Sequence, residues 1–146
     1  MDYTETKERI KEHEGCVLSI YDDPLLGSAA PTIFYGHLCT ATDPWEPGIT
    51  YSQEDAENVF EQDFAVAVKD ANAFIGDTET PDIVRSVIVE MAFNIGINRL
   101  MKFAKLRQAI YDQDYIEAAD QIVDSKLYRQ LTSRYAPLVE LVAHAA

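Results

Sequence analysis

Basic residues are scarce: 12 Lys and Arg stand against 25 Asp and Glu, a formal net charge of −13. Phosphate binding needs a basic face, so nucleic acid is not an expected partner. The chain has no uninterrupted apolar run of the length that a membrane-spanning helix needs, about 18 residues. Its first residues, Met1 to Arg9, lack a basic stretch followed by an apolar one, so no secretory signal peptide is expected. Cysteine is limited to Cys16 and Cys39. One disulfide is arithmetically possible, but two free thiols in a reducing compartment are the expectation. Cys-x-x-Cys, His-Glu-x-x-His and a Gly-rich phosphate loop are all missing, so neither a metal site nor a cofactor is expected. There is no internal repeat and no low-complexity tract.

What is present is an ordinary globular balance, 47% hydrophobic and 25% charged over 146 residues. That length suits a single domain able to bury a core without staples. The charge is unevenly placed. Residues 1–80 carry 17 acids and 4 bases, whereas residues 81–146 carry 8 of each. Such acidity fits a saline habitat, where repulsion is screened, or it keeps the protein soluble.

The pattern predicts an α+β fold. A short helix is expected over residues 4–14, a strand over 17–22, a loop over 23–31 and a second strand over 32–38. Another loop, over 40–50, holds two prolines, Gly48 and the only Trp. From Ser52 the spacing turns helical: Ala56, Val59, Phe60, Phe64, Ala67, Val68, Ala71 and Phe74 recur at threes and fours up to Gly76. A further helix starts at Thr80-Pro81 and stops at Gly96, with others near 99–111, 114–124 and 126–132 and a last one from Pro137. Residues 1–146 thus read as one domain: an N-terminal helix (1–14), a small β-lobe (15–50), and a long helix leading into an all-helical lobe (51–146). A cleft between lobes is a common ligand site.

Three polar residues of the small lobe suggest chemistry: Glu14 at a helix end, Asp23 at a strand end and Thr32 opening the next strand, spaced Glu-x8-Asp-x8-Thr. Breaking a glycosidic bond needs one carboxyl that protonates the leaving oxygen and another that stays ionised, to activate water or stabilise the developing cation. A partly buried helix-end Glu suits the first role and an exposed turn Asp the second. A hydroxyl placing the water would complete an inverting site. With 25 acids in the chain, this spacing also arises by chance. Asp23 then reads as a turn residue before Pro24, and Glu14 as a solvated helix end before Gly15.

Further motifs give the set a context. They are His13-Glu14-Gly15, Tyr21-Asp22-Asp23, Thr32-Ile33-Phe34-Tyr35-Gly36-His37, Asp55-Ala56-Glu57 to Phe60-Glu61-Gln62-Asp63, Phe93-Asn94-Ile95-Gly96, Glu117-Ala118-Ala119 and Ser125-Lys126-Leu127-Tyr128. In order and spacing, residues 8–38 and 50–135 resemble the phage lysozyme and endolysin family, glycoside hydrolase family 24. The resemblance implies a lysozyme-like fold, with a small β-hairpin lobe joined by a long helix to a helical lobe. It implies Glu14 as general acid, Asp23 as second acid and Thr32 as the water-positioning residue. It pairs His37 with Asp63 in a structural role, sets Arg134 opposite the catalytic Glu, and puts Phe93 and Asn94 near substrate. Core packing is the other reading of Phe93.

The chain departs from the family at Phe34, where a Gly usually follows Thr-Ile. Phe34 is expected either to narrow the substrate cleft, as a binding residue, or to turn into the core of the small lobe. The loop from Asp23 to Thr32 is about three residues longer than usual, which brings Ser28 near as an alternative hydroxyl. The acidity is a third departure. The resemblance therefore implies a peptidoglycan-cleaving muramidase, monomeric, made in a host cytoplasm and released to the cell wall through a holin. The departures leave two other readings: a non-catalytic cell-wall-binding or virion domain, and a glycosidase acting on a related polymer such as chitin.

Overall fold

A computed structural model describes residues 1–22 and 30–145. The described residues form an α+β fold, with a small antiparallel sheet near the N-terminus and seven helices. The elements are α1 (Thr4–Glu14), β1 (Val17–Asp22), β2 (Pro31–Phe34), β3 (His37–Leu38), α2 (Gln53–Ile75), α3 (Asp82–Leu100), α4 (Ala104–Tyr111), α5 (Tyr115–Val123), α6 (Lys126–Gln130) and α7 (Thr132–Ala143). They fall into two compact units, Lys7–Ala65 and Met1–Thr6 with Val66–Ala146, so that α1 and α2 each contribute to both. No helix among the described residues is long and apolar enough to cross a membrane.

In the Lys7–Ala65 unit the sheet runs β1-β2-β3, with Tyr21 opposite Thr32 and Ile33 opposite His37. The single strand expected over 32–38 is instead a hairpin that begins at Pro31 and turns at Tyr35-Gly36. Its β-branched and aromatic content reads as a strand, but Phe34 (φ 59°) and Gly36 (φ 71°) take left-handed backbone that stops one. The N-terminal part of α2 closes the unit. Ser52 caps it, its Oγ accepting from the Asp55 N–H at 3.1 Å. Ala56, Val59, Phe60 and Phe64 are buried, along with Ile10 of α1 and Ile33 of β2. That stripe is what the threes-and-fours spacing requires.

Phe34 resolves the first departure. It is 0% exposed and meets Trp45 edge-on at 4.9 Å and Tyr51 at 6.2 Å. This corrects its expected role as a substrate-binding residue, since an enclosed ring offers no surface to a ligand. The backbone keeps the left-handed conformation that glycine takes readily, at a strain of roughly 1 kcal/mol for an L-residue. The buried ring offsets it, because removing a core Phe costs about 3–5 kcal/mol. Phe34→Gly is therefore expected to lower unfolding free energy by about 2–4 kcal/mol in urea denaturation; a gain in stability would contradict this packing.

In the second unit α5 packs against α4 and α7 around Leu106, Ile110, Ile122, Tyr135 and Leu138. Three helix ends differ most from expectation. α3 does not stop at Gly96 but resumes after a kink there (φ 77°, ψ 165°) and runs to Leu100. The last helix starts at Thr132 rather than Pro137, which sits inside it and lacks the N–H that would bond back to Ser133. Between these, α4 begins at Ala104, later than the residue 99 expected.

Candidate active site

Glu14 is the last residue of α1 and is half-buried. The helix closes with the Gly15 N–H donating to the Lys11 carbonyl at 2.9 Å. The Glu14 carboxylate lies directly on the backbone of Gly36, in the hairpin turn. A Cβ built on Gly36 would collide with Glu14 Oε2 and come within 3.0 Å of its Cδ. The carboxylate therefore occupies space that only a glycine leaves, and it is braced on one side by main chain.

Thr32 sits in β2, 1% exposed, with its hydroxyl donating to the Ala30 carbonyl at 3.0 Å. Its one proton is committed there, so the oxygen can meet another group only through a lone pair. Asp23 and Ser28 lie outside the described residues.

His37 bridges two carboxylates. Nδ1 is 2.7 Å from Asp63 Oδ2 on α2, and Nε2 is 2.8 Å from Asp43 Oδ2 in the following loop. The Asp63 hydrogen bond, opposed by burial and aided by Asp43, pushes the imidazole up to about 9. At neutral pH both ring nitrogens thus carry protons and both donate. Burial works against the Asp43 charge, but the Thr40 N–H at 2.9 Å and His37 outweigh it and hold the carboxyl below its usual value. Asp43 was not legible in the sequence, since it stands in an irregular stretch without periodicity.

The bridge has a pH signature. A histidine with a raised folded pKa contributes stability fully below its unfolded value, near 6.5, and loses it as pH rises through the folded value, near 9. The Asp partners are 23% and 30% exposed at their side chains, so solvent screening reduces the contribution to about 2 kcal/mol. Denaturation midpoints should fall between pH 7 and pH 10, and His37→Gln should flatten that slope. An unchanged slope in the variant would show that His37 is not its source.

A second polar cluster joins α1, the hairpin turn and α2. On α1, Lys11 Nζ reaches Glu57 Oε2 at 2.6 Å. The Tyr35 hydroxyl donates to Glu57 Oε1 at 2.7 Å and accepts from Gln53 Nε2 at 2.9 Å. Gln53 Nε2 also reaches Glu57 Oε1 at 2.9 Å. Lys11, followed by Tyr35, holds the Glu57 carboxyl down at about 2. Burial, with Glu57 next, pushes the Tyr35 phenol up to about 12. None of these four was a sequence candidate. The only local signal was the Gln53/Glu57 pair, one helical turn apart.

The remaining candidates belong to the helical unit. Phe93 and Asn94 are half-buried on α3, and Asn94 Oδ1 accepts from the buried Tyr135 hydroxyl at 2.6 Å. That bond turns the amide so that its N–H groups remain as donors. Arg134 is half-buried on α7. An open depression of about 400 Å³, lined by Phe103, Leu106, Gln121 and Ser125 among others, contains none of the sequence candidates. Cys16 and Cys39 are free thiols. Among the described residues no group of three or more His, Cys, Asp or Glu stands close enough to hold a metal ion.

The site as described places a braced carboxyl at a helix end, beside a glycine turn and a charged bridge that fastens the hairpin to α2. Comparison with known proteins gives this arrangement a context. The chain is 25% identical over 138 residues to "Probable T4-type lysozyme 1" of Dictyostelium discoideum, covering 92% of this chain and 74% of that protein. The phage lysozyme family matches residues 11–134, a stretch that holds Glu14, the hairpin, α2 and the helices through to Arg134. On that match the chain belongs to the phage lysozyme family.

Proposed function

We propose that this protein is a muramidase that hydrolyses the β-1,4 bond between N-acetylmuramic acid and N-acetylglucosamine in bacterial peptidoglycan, with inversion. The observation that carries the reading is the Glu14 carboxylate, half-buried at the end of α1 and seated against Gly36. Family membership supports a glycosidase of the lysozyme type. In this reading Glu14 gives its proton to the leaving sugar oxygen while Asp23 takes one from the water that attacks the opposite face of the ring. The Thr32 hydroxyl meets that water through a lone pair. Asn94 and Phe93 contact substrate, Arg134 gives electrostatic support, and the His37–Asp63 pair holds the hairpin.

The biological setting belongs to the same proposal. The enzyme acts alone as a monomer without a cofactor, is made in a host cytoplasm, and passes through a holin pore to lyse the cell as a phage endolysin. Chloroform-treated Gram-negative cells test the activity. Wild-type protein should clear the suspension, and faster as salt screens the repulsion between an acidic enzyme and an anionic wall. No clearing at any salt concentration would sink the proposal.

One observation favours a non-catalytic wall-binding domain: Thr32 is enclosed and its proton is already used. Binding to purified peptidoglycan without product release would establish that second reading.

A further inference from the structure

Two segments bear on where the Glu14 carboxylate sits. One is the last turn of α1, where helix ends fray because their final carbonyls lack partners. The other is the Tyr35-Gly36 turn, which carries the glycine under the carboxylate. The Lys11 cluster touches both. Lys11 lies one turn before Glu14, and its carbonyl receives the Gly15 N–H that closes the helix. Its ammonium is fixed by Glu57 and lies over the rings of Tyr35 (5.3 Å) and Phe60 (4.7 Å). Tyr35 is covalently next to Gly36, and its hydroxyl is fixed by Glu57 and Gln53. Both oxygens of Glu57 are therefore engaged, one by the helix and one by the turn.

We propose that Lys11, Glu57, Tyr35 and Gln53 form a positioning device that clamps the last turn of α1 and the Tyr35-Gly36 turn onto α2, so that the Glu14 carboxylate keeps one rotamer. The proposal rests on the reading of Glu14 as the proton donor. Its physical basis is that α1 and the turn have no covalent connection that fixes their spacing within an ångström, whereas a charge-assisted network anchored on one rigid helix does. The aromatic rings beneath Lys11 shield the ion pair from water on that side, which strengthens it. These are positioning residues, for none of them is placed on substrate.

Tyr35→Phe removes one oxygen and keeps the ring on Phe60, so it is the sharpest probe; Lys11→Met breaks the helix side of the clamp. In both, kcat should fall about tenfold with KM within about twofold, the signature of a misplaced reacting group rather than lost binding. Side-chain coupling constants of Glu14, measured by NMR on the whole protein, should change from one rotamer to an average. Thermal melting of each variant shows that it is folded. If kcat or the Glu14 couplings stay as in the wild type in both folded variants, the proposal is overturned. If the wild type itself hydrolyses nothing, the functional reading fails instead, and the Glu14 couplings alone decide whether the clamp exists.

Discussion

Gly36→Ala is expected to reduce the rate of peptidoglycan hydrolysis about a hundredfold, the penalty associated with moving a catalytic group by about 1 Å. The added methyl would take the place of Glu14 Oε2, and the backbone at φ 71° cannot swing aside without opening the hairpin. The flexible partner in that collision is the Glu14 side chain, so the carboxylate moves and the fold largely survives. Stability should fall by only about 1–2 kcal/mol, the strain of an L-residue in the left-handed region. Gly48→Ala separates the two effects. Its φ is 82°, but nothing lies within 4 Å of the added methyl. It should show comparable destabilisation with near wild-type turnover. Initial rates and urea curves on both variants check this. Equal activity in Gly36→Ala and wild type would mean that the carboxylate is not positioned by that turn.

Glu14→Gln should have a larger effect on rate, on the order of 10³-fold, because general acid catalysis alone contributes about 10²–10⁴ and an amide cannot supply the proton. The amide has the same shape, so it still packs on Gly36, and binding to insoluble peptidoglycan should be retained. Stability should change by less than about 1 kcal/mol, as for most substitutions at half-exposed positions. Reducing-sugar release and a pull-down on peptidoglycan, measured on the same preparation, separate catalysis from binding. A variant that binds and cleaves like wild type would remove Glu14 from the mechanism.

Much of the architecture could be read from periodicity, because long amphipathic segments carry their own signal. The stripe from Ala56 to Phe74 announced α2, and the strand-favouring run Val17 to Asp22 announced β1. Turns and ends were less legible. The hairpin at Tyr35-Gly36 is hidden inside residues that favour strands, and the left-handed Phe34 goes with a ring buried against Trp45 and Tyr51. Tertiary packing there overrides a local preference. Pro137 read as a helix start because proline favours first turns, but the packing of Tyr135 and Leu138 carries α7 through it.

At the site, the resemblance named Glu14 and the His37–Asp63 pair, which are in contact with Gly36 and with one another respectively. It could not name Asp43 or the Lys11–Glu57–Tyr35–Gln53 cluster. Lys11 and Glu57 are 46 residues apart, and Tyr35 and Glu57 are 22 apart. Such pairings depend on how α1, the hairpin and α2 meet, which no short window of sequence contains.

Cleavage of glycan strands by hydrolysis leaves its mark in the chemistry of the fresh product. Purified peptidoglycan should be digested with wild-type protein and the released ends followed by proton NMR from the first minutes. New reducing ends of N-acetylmuramic acid should appear first as the α anomer, since inversion of a β bond gives that configuration, with none formed by Glu14→Gln. Anhydro sugar ends, or no new ends from the wild type, would contradict hydrolysis.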